Sequence, residues 1–264
     1  MIEYLKWIKK IGVEQTFNNK NVDIFEFEYE YDDTIMNMWA KHFRQQYCSD
    51  NDLDEESQAN GLSKSDYLLN IKFPTEHGAP GPSIRSGDFA EILVADFIQF
   101  ILNYYVPRTR YDCKTIRNES SKGCDIIAFK SEISFSSSDE ILIVEVKALF
   151  SGNKPENRLQ DAIDDSKKDI SRLAESLNAM KQRLKYRGEK EKAAIVQRYQ
   201  NVTDTPYKRR MGAAAVQSTH LYDSNLTLTA TTEGHPDDNI VLLVIKGNNL
   251  MPLVHDLYRR ASTC

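Results

Sequence analysis

Two stretches of sequence decide the fold: residues 123–129 read GCDIIAF, and residues 141–148 read ILIVEVKA. Both runs are short, apolar and rich in β-branched residues, and the serine-rich residues 130–140 between them are typical of a hairpin connection. The pattern therefore predicts two neighbouring strands. The second run is almost continuously apolar up to Val144, which predicts a central strand that is buried on both faces.

Charged residues accompany both predicted strands, with Asp125 on the first and Glu145 and Lys147 on the second. A buried charge is costly unless it is paired with an opposite charge or bound to a metal. Because side chains alternate along a strand, Glu145 and Lys147 point to the same face. The sequence therefore predicts a divalent-metal site at these three residues. The alternative is an ion pair at the end of a strand.

Local context, rather than spacing, sets Glu145 and Lys147 apart. An acid followed two residues later by lysine also occurs at residues 112–114 and 165–167. The first of these lies in a mixed polar segment that is predicted to be a strand. The second lies on a charged helical surface, where a solvated face is the ordinary interpretation. Only residues 145–147 close a strong apolar strand and follow another strand that carries an acid.

The predicted metal site has a definite ligand set. Mg²⁺ prefers hard oxygen ligands in octahedral geometry and keeps several water molecules. Two carboxylates on adjacent strands and one backbone carbonyl meet that demand. The predicted ligands are therefore Asp125, Glu145 and the carbonyl of Val146, with Mg²⁺ or Mn²⁺ as the ion. Lys147 faces the same ion and its water, which it could orient or deprotonate.

Composition and charge exclude several classes of protein. The chain has 264 residues and a net charge of −5, and no run is long and apolar enough to span a bilayer. The first ten residues carry too many charges for a secretory signal. The four cysteines are dispersed, without zinc-ligand spacing, so we expect a reducing cytoplasm. The acidic balance weighs against an autonomous, tight DNA binder.

The chain is expected to divide near a Gly- and Pro-rich stretch at residues 77–82. Residues 1–82 are predicted to be an N-terminal α/β region. It would hold an alternating strand at 22–31, a helix at 34–47 and an acidic loop at 50–58. The strand carries Glu26, Glu28 and Glu30 on one face. That face is a candidate surface for docking a partner, and a solvated face is the alternative.

Residues 83–264 are predicted to form an α/β core with a mixed central sheet flanked by helices. The predicted elements are a helix at 86–105, a strand at 110–117, the two acidic strands, a long helical stretch at 155–187, strands at 213–222 and 240–245, and a helix at 250–260. The chain shows no internal repeat.

Three motifs carry a resemblance to a known family: residues 86–93 (SGDFAEIL) at a helix start, residues 123–125 (GCD), and residues 145–147 (EVK). They resemble the restriction-endonuclease-like, or PD-(D/E)XK, nucleases. Together with the acidic strand and helix near the N-terminus, they are similar to the nuclease subunit of Hachiman-type antiphage defence systems. The residue before Asp125 is Cys124 rather than the proline of the superfamily's name.

The resemblance implies a metal-dependent DNA endonuclease with a restriction-endonuclease-like core and an N-terminal α/β extension. It also implies that Glu91, on the first core helix, lies beside the metal, although a helix-surface carboxylate is the alternative. In that family the nuclease pairs with a superfamily-2 helicase, which restrains it and releases it when aberrant DNA is sensed. The implied partners are therefore DNA and a helicase subunit in a heteromer.

Contacts with DNA are expected from cations near the predicted cleft, because phosphate contacts require little more than positive charge. Each cation could equally lie in an ordinary solvated loop. The candidates precede the Asp125 strand or follow an aromatic residue in a predicted loop: Arg108, Arg110, Lys114, Arg117, Lys208, Arg209 and Arg210.

Two other functions remain open. The chain could be an autonomous restriction or repair endonuclease, although it has no recognition-helix or zinc signature for reading sequence. It could instead be a catalytically inactive nucleic-acid-binding scaffold on the same fold, although Asp125, Glu145 and Lys147 are all present.

Overall fold

The computed structural model describes residues 2–131 and 136–264. In chain order its strands and helices are β1 (Ile8–Gln15), β2 (Asn21–Phe27), α1 (Asp33–Tyr47), α2 (Asp50–Ala59), α3 (Lys64–Tyr67), α4 (Gly81–Phe100), β3 (Ile126–Lys130), β4 (Glu140–Leu149), α5 (Arg158–Ser166), α6 (Asp169–Tyr186), α7 (Lys190–Arg198), β5 (Lys208–Ser218), α8 (Ser224–Thr229), β6 (Val241–Gly247) and α9 (Leu250–Ala261). Short 3-10 helices span Glu3–Trp7 and Thr219–Leu221, and a π-helical turn spans Leu68–Lys72.

The strands in the described part of the chain form one six-stranded sheet in the order β1-β2-β6-β5-β4-β3. The four inner strands are mutually parallel, whereas β1 and β3 pair antiparallel at the two edges. Inner parallel strands are buried on both faces, which explains the continuous apolar runs in β4 and β6. The predicted fold class, α/β with a mixed central sheet flanked by helices, is confirmed.

Alternating residues of each strand pack against two separate helical layers. Leu142, Val144 and Val146 of β4 belong to the core that α1, α4 and α9 cover. Ile141 and Ile143 pack instead against α6 and α7 on the opposite face. The side chains of Glu145 and Lys147, at odd-numbered positions of β4, therefore lie on the α5–α6 face.

The N-terminal residues contribute directly to this sheet. β2 pairs with β6 over Val22–Phe27, and β1 extends the sheet beyond β2. Aromatic side chains of α1, such as Trp39, pack against Phe89 of α4. The predicted division into residues 1–82 and 83–264 is a division in sequence. In the structure both parts share one sheet and one apolar core.

Several predicted element boundaries are wrong. Residues 50–58 form a helix rather than a loop, because the Ser49 side chain caps the amide of Asp52 and Leu53 is buried. The first core helix begins at Gly81, since Pro82 is tolerated in a first turn. The long helical stretch is interrupted at residues 167–168, between α5 and α6. β5 begins at Lys208 rather than at 213, so residues 208–210 are strand and not loop.

The predicted strand at residues 110–117 does not form, and this segment has no regular secondary structure. Its residues make individual long-range contacts instead. Tyr111 is buried, while Arg110 and Lys114 form ion pairs with acids of other elements.

No helix among residues 2–131 and 136–264 combines the length and apolar character needed to cross a membrane.

Candidate active site

The three charged residues that the sequence analysis singled out come together beside the carboxyl-terminal half of β4. Ile126 of β3 pairs with Val144 of β4, so Asp125 lies one position beyond this register, opposite Glu145. The backbone amide of Val146 donates a hydrogen bond to Asp125 Oδ2 at 3.0 Å. The hairpin register therefore holds the aspartate against the strand that carries Glu145 and Lys147.

These residues line an open cleft of about 840 Å³. Glu91 of α4 lies on the same cleft, as does the backbone of Val146. The predicted catalytic and metal-binding residues are therefore gathered at one surface depression: Asp125, Glu145, Val146, Lys147 and Glu91. Opposite β4, the wall of the cleft is formed by α6, which contributes Arg172, Glu175, Ser176, Ala179 and Arg183.

Glu145 is a buried carboxylate whose two oxygens have different surroundings. Oε1 accepts a hydrogen bond from Lys147 Nζ at 2.7 Å. Oε2 is buried and has no hydrogen-bond partner among the described residues. Burial raises the pKa of Glu145 to about 7, and the negative charge of Asp125 adds to this shift, while Lys147 opposes it. Glu145 thus carries an unsatisfied acceptor in the cleft near neutral pH.

Lys147 bridges two acids. Its Nζ lies 2.7 Å from Glu145 Oε1 and also 2.7 Å from Oδ2 of Asp165 on α5. Burial by itself would lower the pKa of Lys147, but the bonds to Asp165 and Glu145 outweigh burial and raise the pKa above its ordinary value. Lys147 is therefore a cation throughout the neutral range. Asp165, interpreted from sequence as part of a solvated surface, is instead the residue that orients this lysine.

Arg110 lies between Asp125 and Glu91. Its Nη2 donates to Asp125 Oδ1 at 2.7 Å, and its Nε lies 2.6 Å from Glu91 Oε2 in an ion pair without hydrogen-bond alignment. The hydroxyl of Tyr111 also donates to Glu91. Burial raises the pKa of Glu91, and the positive charge of Arg110 opposes that rise. Arg110 was predicted as a DNA contact, but its guanidinium pairs with two carboxylates of the cluster.

Asp169, at the start of α6, is a further buried acid that the sequence analysis missed. Its residue is fully buried, and neither carboxylate oxygen has a hydrogen-bond partner in the described chain. The nearest cation is Arg172, with 3.9 Å between Nη1 and Oδ1. Burial, followed by the charge of Asp125, raises the pKa of Asp169 to about 6. The sequence offered little signal, because an acid in a first helical turn is ordinary.

The donor atoms suit a hard divalent cation. Carboxylate oxygens are the ligands that Mg²⁺ and Mn²⁺ prefer, and Glu145 Oε2 is buried without a partner. Within residues 2–131 and 136–264, no group of three or more His, Cys, Asp or Glu side chains is already arranged to hold a metal ion. Glu91, Asp125 and Glu145 instead each contact a basic side chain.

Four other predicted DNA contacts lie outside the carboxylate cluster. Arg108 pairs with buried Asp96, with 2.6 Å between Nη2 and Oδ1. Lys208 of β5 pairs in the sheet with Glu140 of β4. Glu140 is five residues before Glu145, so Lys208 lies about 16 Å from Glu145 along the strand direction. Arg209 and Arg210 follow it on β5 and are likewise displaced from the cleft. That these residues contact DNA stays a prediction.

The remaining two predicted contacts, Lys114 and Arg117, differ in burial. Lys114 Nζ lies 2.7 Å from Asp88 Oδ2, and both side chains are almost completely buried. Asp88 also accepts a hydrogen bond from Tyr47. Arg117 donates to the carbonyl of Leu69 near the surface. Lys114 therefore neutralises a buried acid in the N-terminal half of α4.

We expect Lys114→Met to destabilise the protein by about 3–5 kcal/mol, because Asp88 would be left as a buried charge without its cation. The free energy of unfolding, measured by urea denaturation, tests this. The control Arg117→Met should cost less than about 1 kcal/mol. The double variant Lys114→Met with Asp88→Asn should recover part of the loss. If Lys114→Met unfolds like the wild type, the lysine is not committed to Asp88 and remains available for DNA.

Comparison with known proteins places the chain in a family. The search of curated proteins found no match. The sequence model of the HamA family matches residues 2–261, which is nearly the whole chain. The match includes the elements that form the cleft and also β1 and β2 at the N-terminus. It confirms the predicted similarity to the Hachiman-type family. The chain therefore belongs to the HamA family of Hachiman-type antiphage defence proteins.

Proposed function

We propose that this protein is a metal-dependent deoxyribonuclease, the effector of its defence system, on a restriction-endonuclease-like core. One observation carries the proposal: Asp125, Glu145, Lys147 and Glu91 reach the same open cleft from two strands and a helix. Fold alone would not support an activity, because one fold hosts many functions. The support comes from the chemistry of this cluster, combined with membership of the family.

The residues that would hold Mg²⁺ or Mn²⁺ are Asp125, Glu145, the Val146 carbonyl and Glu91. When bound, such an ion supplies an activated water and neutralises charge on the phosphate and the leaving oxygen. The protein contributes the positions of its donors. The β3–β4 register holds Asp125 beside Val146, and buried Glu145 Oε2 has no hydrogen-bond partner in residues 2–131 and 136–264. Asp169 adds a further buried carboxyl group beside these donors.

Lys147 would stabilise negative charge rather than remove a proton from water. Its elevated pKa keeps the ammonium group protonated near pH 7. Two carboxylates, on β4 and α5, fix its direction. A fixed cation that faces the developing charge of a phosphate transition state stabilises that state more than the ground state. Because its ammonium group is protonated while it is paired with Glu145 and Asp165, Lys147 is not the general base that activates water.

The DNA backbone would lie between β4 and α6. Arg172 and Arg183 are eleven residues apart on the cleft-facing side of α6, or about 16 Å along the helix axis. Lys122 lines the cleft from the segment before β3. These cations lie nearer the carboxylate cluster than residues 208–210 and are the phosphate contacts proposed beside the predicted set. Their affinity should fall steeply as salt concentration rises.

The protein would act with a superfamily-2 helicase that restrains it until aberrant DNA is sensed. The net charge of −5 supports dependence on a partner for delivery to DNA, because free-standing DNA binders ordinarily have a basic balance. The candidate docking surface comprises Glu26 at the end of β2 and Glu28 and Glu30 in the segment that follows, because β2 ends at Phe27 and the three glutamates do not share one strand face as predicted. The cytoplasm is the proposed compartment.

A plasmid-degradation assay in Mg²⁺, with the protein alone and co-purified with the helicase, tests this function. We expect a stable heteromer with low activity until ATP and suitable DNA are added. EDTA should abolish cleavage under every condition. Full activity of the isolated protein, together with no heteromer from the native host, would favour an autonomous endonuclease. Binding of DNA without cleavage under any condition would favour the inactive scaffold.

A further inference from the structure

Arg110 is the most heavily engaged cation of the site. Besides its contacts with Asp125 and Glu91, its Nη1 donates to the carbonyl of Cys124 at 2.8 Å. Its Nη2 also donates to the carbonyl of Ser121 at 3.1 Å. The side chain is only 15% exposed. A buried guanidinium with this many acceptors is a structural part of the site and not a solvated surface cation.

Arg183 of α6 and Arg187, which directly follows α6, hold the two residues of backbone that precede Arg110. Arg183 Nη1 donates to the carbonyl of Thr109 at 2.7 Å, and Arg187 Nη1 donates to the carbonyl of Arg108 at 2.9 Å. The segment has no helix or strand hydrogen bonds to maintain its path. These side-chain bonds therefore place the guanidinium of Arg110 between α4 and β3.

The acids around Arg110 carry more negative charge than their contacts neutralise. Glu145 Oε2 and both oxygens of Asp169 are buried without hydrogen-bond partners among the described residues. A single guanidinium supplies one positive charge, whereas a divalent cation supplies two to the same oxygens. A divalent ion and Arg110 would both need the oxygens of Asp125 and Glu91. Because the ion carries twice the charge, the cluster should bind the ion more strongly than it binds the arginine.

We propose that Arg110 is the resident cation of the carboxylate cluster, and that a divalent metal must compete with it for Asp125 and Glu91. The proposal rests on the proposed function, because it takes these carboxylates as metal ligands. In the metal-free protein Arg110 keeps the acids paired and the fold stable. During metal binding it gives up its contacts with the carboxylates, and so it sets the metal affinity. Arg110 is a positioning residue in this scheme.

Mn²⁺ binding, measured by calorimetry on the intact protein without DNA, tests the competition. We expect Arg110→Gln to bind Mn²⁺ at least about tenfold more tightly than the wild type, since a nearby positive charge is removed. The same variant without metal should melt at a lower temperature, because Asp125 and Glu91 lose their partner. These opposite effects separate competition from a purely structural role, which would weaken folding without tightening metal binding.

Two further variants serve as controls. Arg110→Lys keeps the charge and should bind Mn²⁺ within about threefold of the wild type. Arg108→Gln removes a neighbouring cation whose partner is Asp96, and it should lower the melting temperature without changing Mn²⁺ affinity.

Unchanged or weaker Mn²⁺ binding by folded Arg110→Gln, when the wild type binds, overturns the competition and leaves the proposed function standing. If circular dichroism shows that Arg110→Gln is unfolded, the melting temperature of Arg110→Lys tests the proposal instead. A lysine cannot reproduce the bridge to both acids, so Arg110→Lys should melt at a lower temperature than the wild type without metal, and an unchanged melting temperature would overturn the proposal. Absence of binding by both wild type and variants overturns the metal site itself. Tighter binding without DNA cleavage overturns only the nuclease assignment.

Discussion

Glu145→Gln is expected to remove Mg²⁺-dependent DNA cleavage while making the metal-free protein more stable above about pH 7. The glutamine keeps the size of the side chain but loses the charge that a divalent ion requires. We expect cleavage to fall by roughly 10²–10³-fold or more, the range for loss of one electrostatic group in an active site. Few other substitutions should separate activity from stability so sharply.

The stability gain follows from the pKa of Glu145. Burial and Asp125 raise this pKa to about 7 in the folded protein, whereas an unfolded glutamate titrates near about 4.3. The folded state therefore binds more protons between these values, so stability falls as pH rises from about 4.3 to 7 and stays reduced above pH 7. Glutamine does not titrate. The cost removed is on the order of 3–4 kcal/mol at pH 8.

Urea denaturation of metal-free protein at pH 5 and pH 8, alongside a plasmid assay, measures both effects. Asp125→Asn should also abolish cleavage. Glu140→Gln is the matched control, because Glu140 begins the same strand beside Arg210, away from the cleft. It should cleave like the wild type. Cleavage at the wild-type rate by Glu145→Gln would remove Glu145 from the metal site. An unchanged pH dependence would mean that Glu145 is ionised at neutral pH.

The convergence of Asp125, Glu145 and Lys147 was predictable because it depends on local rules. Alternation along β4 places residues 145 and 147 on one face, and a hairpin places β3 beside β4. The apolar runs that flank these charges also predicted the buried strands correctly. Glu91 lies on the same cleft because α4 packs across the sheet, a relation that only the family resemblance implied.

The partners of the arginines and lysines were not predictable, because they depend on contacts between distant segments. Arg110 bonds Asp125 from fifteen residues away, and Lys114 bonds Asp88 from twenty-six residues away. In sequence these residues appear as a basic segment near the site. Nothing local distinguishes a cation that contacts phosphate from one that neutralises a buried acid. The same limit concealed the contact between Asp165 and Lys147.

The N-terminal strands show why the sequence alone predicted a division of the chain into two regions. β2 alternates between buried and partly exposed residues, as a strand with one solvated face would. In the structure it lies between β1 and β6 in the main sheet. The strand β6, which pairs with β2, comes more than two hundred residues later in the chain. Alternation reports the exposure of a face and gives no information about which strand lies beside it.

Lys147→Met is expected to retain divalent-metal binding and to lose DNA cleavage by roughly 10²–10⁴-fold. The methionine keeps much of the side-chain volume but removes the charge that Glu145 and Asp165 orient. Metal binding should persist, because the proposed ligands are all oxygen atoms of other groups. Loss of the ammonium group should even favour the ion, since one positive charge beside Glu145 disappears.

Single-turnover cleavage and Mn²⁺ calorimetry on the same preparation separate these effects, and circular dichroism shows whether the variant is folded. Lys167→Met is the matched control, because Lys167 pairs with Asp164 at the surface end of α5. It should change neither measurement. Asp165→Asn leaves Lys147 with one acid instead of two, and a smaller loss of cleavage is expected from the less fixed ammonium group. If Lys147→Met cleaves at the wild-type rate, Lys147 is an ion-pair partner of Glu145 and Asp165 and takes no part in the chemical step.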